Sequence, residues 1–150
     1  MAQTVPGQGV LSAYQEQVRL VREELSDQFA VSVNRPSACD ITHYHTINLR
    51  YFLTVPFVKL YGKTVGYVHF LPETLEDSLR LPKWFRPIFY RYVICFYKRM
   101  DSLVTVNPVF IDRLTAYGID REKITYIPNF VDERTFSPLT SAQRRRAREL

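Results

Sequence analysis

The sequence predicts an α/β fold: a parallel sheet with helices on both faces. Three observations carry this expectation. Short β-type runs alternate with helical segments along the chain. The run 102–106, SLVTV, is apolar enough for a buried strand and leads into a well-marked helix. Asn107 suits that helix's N-cap, Pro108 its first turn and Gly118 its C-cap side. The run 123–127, KITYI, then returns as another strand, stopped by Pro128-Asn129. With 150 residues and 46% hydrophobic content, the chain has enough material for one domain with a real core.

The remaining elements follow in order. VPGQGV, 5–10, is a glycine-containing loop ahead of a helix that starts near Ser12. There Ser12 and Gln15 have capping-box spacing, and Tyr14, Val18, Val21 and Leu25 share one face. FAVSV, 29–33, alternates like a strand, and DITHYH, 40–45, is a second strand. INLRYFLTVPFVKLYG, 47–62, reads as a helix ending at Gly62, with Pro56 breaking it. TVGYVHF, 64–70, is strand-like, 71–82 with its two prolines is a loop, and a helix covers 83–100. The basic segment SAQRRRAREL has no apolar face. It reads as the start of a linker or further domain over 140–150, after a domain over 1–139.

Charge is unevenly spread. Residues 1–79 hold six basic and eight acidic side chains, residues 80–150 fourteen basic and seven acidic, within a net charge of +5. The second half is therefore the part that would meet a polyanion or an anionic membrane. Residues 78–100 carry Arg80, Lys83, Arg86, Arg91, Lys98 and Arg99 and no acid, interleaved with Trp84, Phe85, Phe89, Tyr90, Tyr92, Phe96 and Tyr97. That mixture suits the headgroup region of an anionic membrane, with Lys83, Trp84, Arg86 and Arg91 as the contact residues. The alternative is a helix that packs its aromatics on the sheet and solvates its charges. Nucleic acid is a rival polyanion, but no recognition motif supports it, and none is expected as a partner. Cys39 and Cys95 form neither a disulfide framework nor a CxxC pattern, which points to reduced thiols in the cytoplasm.

Ligands of parallel α/β sheets bind beyond the C-terminal ends of the strands. Gly7, Gly9, His45, His69 and Asn107 all fall at or just past such ends. His43 and His45 share one face of a strand, and His69 could join them, but no acid or cysteine of ligand spacing completes a zinc site, so no metal is expected. His43, mid-strand, reads as a satisfied core histidine. His45 and His69 are placed to hydrogen-bond a sugar or phosphate. A glycine loop running into a helix N-terminus can approach a phosphate, although a plain turn explains GQGV equally well.

DSLVTVNPVFIDRLTAYGIDREKITYIPNFVDERTFSPL, 101–139, resembles the end of the N-terminal domain of retaining glycosyltransferases of family 4, which have the GT-B fold. The matching residues are Tyr117-Gly118-Ile119, Lys123-Ile124, Ile127-Pro128-Asn129, Val131-Asp132 and Phe136. GQGV, DITHYH and GYVHF resemble the family's glycine loop and its two strand-end histidines. More narrowly, GQGVLSAYQEQV, HYHTINLRYF and GYVHFLPETLEDSLRLP look like Gram-positive enzymes that glucosylate diacylglycerol to make the glycolipid anchor of lipoteichoic acid.

The resemblance implies a Rossmann-like N-terminal half lacking its first strand, because only Met1 to Val5 precede the loop. It implies His45 and His69 as the catalytic-cleft residues, Gly7 and Gly9 beside the donor diphosphate, and Asn107 capping the helix at the cleft floor. It implies sugar transfer, with glucose from UDP-glucose as donor and no cofactor, to a membrane lipid such as 1,2-diacylglycerol. The enzyme would sit peripherally on the inner face of the membrane. Phe130 departs from the glycine that many relatives have after IPN. The family's nucleotide-sugar domain has no counterpart in these 150 residues, so the chain is expected to be inactive alone. A soluble or polymeric glycan as acceptor, and a non-catalytic polyanion-binding module, are the alternatives.

Overall fold

A computed structural model describes residues 9–34, 38–75, 81–129, 138 and 140–148. Its elements are α1 (Gly9–Glu24), β1 (Ile41–Tyr44), α2 (Leu49–Val58), β2 (Lys63–Val68), α3 (Pro72–Leu75), α4 (Arg86–Lys98), β3 (Ser102–Thr105), α5 (Val109–Ala116), β4 (Ile124–Tyr126) and α6 (Ser141–Arg148). The four strands are all parallel, in the order β1-β2-β3-β4. This is the Rossmann-like α/β architecture expected. Successive strands add on the same side, so right-handed crossovers lay α2, α4 and α5 on one face of the sheet.

Register explains how that face is filled. Tyr44, Gly66, Leu103 and Ile124 stand in one row across the four strands. Tyr44, Leu103 and Ile124 are buried with Val55 of α2, Val93, Phe96 and Tyr97 of α4, Met100, and Leu114 of α5. Gly66 completes the row because Met100 lies over it: a Cβ there would come within 2.8 Å of the Met100 Cγ and 2.9 Å of the Leu103 Cδ2. The other face carries α1, through Gln17, whose amide donates to the Tyr67 hydroxyl, and through Tyr14, whose ring lies 4.9 Å from that of His45.

Several local expectations need correction. Residues 29–33 form no strand: no strand among the described residues flanks them, Phe29 is exposed, and the Val31 carbonyl accepts from Arg22 instead. Ser12 lies inside α1 and does not cap it. Pro56 does not break α2. Only the bond to the Phe52 carbonyl is forfeited and the ring lies on the exposed side, so the helix continues to Val58. The 71–82 loop contains α3, where the Thr74 hydroxyl accepts from the Leu71 amide at 3.0 Å. Pro82 delays the next helix, its carbonyl taking the Phe85 and Arg86 amides before α4 begins.

The unit after β3 follows the sequence reading closely. Asn107 Oδ1 accepts from the Val109 amide at 3.0 Å, and Gly118 at φ 78° closes α5. Gly118 N donates to the Thr115 carbonyl and Ile119 N to that of Leu114, a Schellman closure.

Asp101 ties the start of β3 to β2. Its carboxylate accepts from the Thr64 amide at 2.9 Å, the Thr64 hydroxyl at 2.8 Å and Lys59 Nζ at 3.0 Å. Burial works against its charge, but these three donors outweigh it and hold its pKa at about 2. Asp101→Asn is expected to cost about 2 kcal/mol at neutral pH. A depressed carboxylate stabilises above its unfolded pKa of 3.8 and loses that contribution as pH falls through about 2. Urea unfolding from pH 7 to 2 checks this: the gap between wild type and variant should close only below about pH 4.

Candidate functional site

His45 is the first residue past β1 and His69 the first past β2, so both stand at the C-terminal edge of the sheet. Alternation along β2 puts Tyr67 on the same face two residues before His69. Tyr67 stacks on His45, with ring centroids 4.1 Å apart at 18°, and lies 6.1 Å from the His69 ring at 21°. The two imidazoles are 5.9 Å apart. Tyr14 from α1 meets His45 edge-on, and Gln17 holds the Tyr67 hydroxyl from above. The result is an aromatic wall along the strand edge, with Tyr67 and His45 in direct stacking contact.

The electrostatics follow from that packing. Burial, reinforced by repulsion from His69 and then His43, lowers the pKa of His45 to about 3. Burial lowers that of His69 as well. Both imidazoles are therefore neutral near pH 7, each with one N–H donor and one acceptor nitrogen. Tyr67 is shifted the other way by burial, despite the Gln17 hydrogen bond, and stays protonated. Nδ1 of His45 and Nε2 of His69 are buried and have no hydrogen-bond partner among the described residues. An orphaned buried nitrogen costs on the order of 1–3 kcal/mol, so a pair of them at one strand edge suits a ligand that supplies the missing bonds.

His43 overturns the expectation of a satisfied core residue. It is exposed on β1, the edge strand among the described residues, with its ring 5.7 Å from Tyr67 and 6.4 Å from His45. The three histidines thus share one face, but their rings are tilted or stacked instead of converging. Among the described residues no group of three or more His, Cys, Asp or Glu is arranged to hold a metal ion.

Asn107 lies just past β3, and its side-chain oxygen caps the start of α5. Its amide donates to the Thr105 hydroxyl, which in turn donates to its carbonyl. Gly9 is the first residue of α1, and Gly7 lies outside the described residues. Of the candidates on α4 and in the turn before it, Lys83, Trp84 and Arg91 are exposed, whereas Arg86 is half-buried and its Nε donates to the Leu81 carbonyl at 3.2 Å. Two surface clefts, of about 380 and 470 Å³, flank α4 at Met100–Lys123 and at Tyr90–Arg99, away from the histidines. Among the described residues neither contains an orphaned buried polar atom, so the strand-edge wall is the better site. Tyr67, Tyr14 and Gln17 were missed as site residues. The period-2 spacing of Tyr67 and His69 was the available signal.

The profile of Glycosyltransferase Family 4 matches residues 15–135. The chain is 51% identical over 138 residues to an alpha-galactosylglucosyldiacylglycerol synthase of Streptococcus pneumoniae, a match covering 92% of this chain and 37% of that protein's length. The matched span includes β1 to β4 and both strand-end histidines, and the chain belongs to glycosyltransferase family 4.

Proposed function

We propose that this chain is the acceptor-side part of an enzyme that transfers a hexose from a nucleotide sugar, UDP-glucose in the simplest case, to a diacylglycerol-type lipid. The observation that carries the proposal is the pair of neutral, unpartnered imidazoles at the strand ends, in a chain of this family. Sugar and glycerol hydroxyls both donate and accept, so each could satisfy an orphaned imidazole nitrogen. A base with a pKa near 3 is too weak to strip a proton from an alcohol, so His45 serves best by holding a hydroxyl in line. An anionic donor diphosphate near Gly9 would raise that pKa when bound.

No helix among the described residues is long and apolar enough to cross a membrane, and contact with the inner leaflet would be peripheral, through Lys83, Trp84 and Arg91. The relative's name describes a lipid bearing both galactose and glucose, which favours a second reading: galactose transfer onto a glucosyl-diacylglycerol. The test is an acceptor screen with the protein at its full natural length. UDP-glucose and UDP-galactose would each be offered with diacylglycerol, monoglucosyl-diacylglycerol and soluble oligosaccharides. A solvent-extractable glycolipid is the expected product, and the sugar–acceptor pair that yields it separates the two readings. Transfer to soluble glycans alone would contradict both.

A further inference from the structure

We propose that α2 is a membrane-inserting element whose exposed apolar stripe enters the boundary between headgroups and acyl chains of an anionic bilayer. The proposal rests on the reading of the chain as part of a lipid-directed transferase and adds a surface to it. Leu49, Leu53, Phe57 and Leu60 recur at helical spacing along the outer side of α2 and the turn after it, and are 58–77% exposed. A surface helix normally turns charged and polar residues to solvent. Here the inward side is already occupied by Val55 and Phe52, so the helix is apolar nearly all round.

Charge identifies the occupant. From Ile41 to Pro72 the sequence holds no acidic residue, while Arg50, Lys59 and Lys63 fall within that stretch. Lys59 is held by Asp101, and Arg50 stands exposed beside the stripe. A symmetric contact with a second copy through the stripe would bring the two Arg50 guanidiniums towards each other with no acid of α2 to offset them. An anionic bilayer meets both the apolar stripe and the exposed Arg50 guanidinium beside it.

α2 and the cationic α4 also form one surface. The Tyr92 hydroxyl donates to the Ile47 carbonyl, and the Phe52 ring lies 5.3 Å from Tyr92 and 5.9 Å from Phe96. The Arg99 guanidinium sits 4.4 Å above Phe52. Rings then continue from Tyr92 through Phe89 and Phe85 to Trp84, which is 74% exposed. Both helices pack on the same sheet face, so their outer sides point the same way.

The test uses vesicles of phosphatidylcholine with or without phosphatidylglycerol. Binding is read by sedimentation and by the fluorescence of Trp84, the only tryptophan in the chain. The wild-type chain is expected to sediment with the anionic vesicles and its emission to shift to the blue. The double variant Leu53→Ser/Phe57→Ser is expected to bind about tenfold more weakly or worse. Both side chains are exposed, so its thermal unfolding should match that of the wild type.

If Trp84 shifts while the variant binds as tightly, α2 is not inserted, although contact through α4 stands. The same holds if the two substitutions leave binding unchanged in the protein at its full natural length. A dimer that the substitutions dissociate, with no vesicle dependence, would make the stripe an interface between copies and overturn the proposal. Failure of the wild type itself to bind anionic vesicles would remove the membrane reading together with it.

Discussion

His45→Ala in the full-length protein is expected to lower kcat about 100-fold or more, with a smaller change in KM for the lipid acceptor. His45 sits at the centre of the aromatic wall, between Tyr67 and Tyr14 and 5.9 Å from His69, and it carries one of the two orphaned nitrogens. A group that only filled space would be replaced by phenylalanine without kinetic loss. If hydrogen bonding is its role, His45→Phe should fail as badly as alanine, and His45→Asn should recover part of the rate.

The pH profile gives a second readout. With its folded pKa lowered to about 3, His45 stays neutral down to well below pH 6, so its titration should not limit the rate between about pH 6 and 8. The same shift has a stability sign. The unfolded histidine, with a pKa of 6.5, binds protons that the folded one refuses, so stability is lost as pH falls from 6.5 towards 3. His45→Phe should flatten that part of the curve.

Gly62→Ala is expected to be among the most destabilising single-methyl changes in the chain, costing roughly 3 kcal/mol or more. Gly62 closes the turn after α2, its amide donating to the Val58 carbonyl, and the next residue hydrogen-bonds the Asp40 carbonyl at 2.8 Å to begin the β1–β2 pairing. A Cβ at this position would overlap the carbonyl oxygens of both Cys39 and Asp40. Both obstacles are backbone, so no side chain can swing aside. Relief would require moving β1 away from β2, at the strand that carries His45. Thermal unfolding should show a Tm lower by about 6–12 °C, and a change under 2 °C would contradict the packing described here.

How much of this was legible beforehand depended on how local each signal was. The unit from β3 to β4 was readable because its signals lie within a few residues of each other: Asn107 for the cap, Gly118 for the closure, and apolar runs on either side. The strand-end positions of His45 and His69 followed from the same logic. The errors arose where tertiary context decides. Residues 29–33 alternate like a strand but find no neighbour to pair with among the described residues. Pro56 forfeits one hydrogen bond two residues before its helix ends, too little to break it. His43 looked like a core residue, yet β1 is the sheet's edge among the described residues, and its outer side stays open.

The aromatic wall shows the limit most clearly. Tyr67 was in view as part of a strand, but its stacking on His45 depends on the register between β1 and β2. Its clamp depends on where α1 crosses the sheet, which puts Gln17 over a residue fifty positions away. The apolar stripe of α2 was hidden differently. Its inner and outer sides are both apolar, so periodicity could not say which would be buried.

The central claim is that His45 and His69 are neutral, unpartnered groups awaiting a hydroxyl-bearing ligand, whereas His43 is a bystander. Imidazole nitrogen NMR of this 150-residue chain at pH 7, with and without a short-chain diacylglycerol, tests it most directly. The predicted result is that all three rings give neutral-form signals and that adding the lipid moves the ring nitrogens of His45 and His69 while those of His43 stay in place. Charged imidazoles at His45 and His69, or a ligand shift confined to His43, would contradict the account.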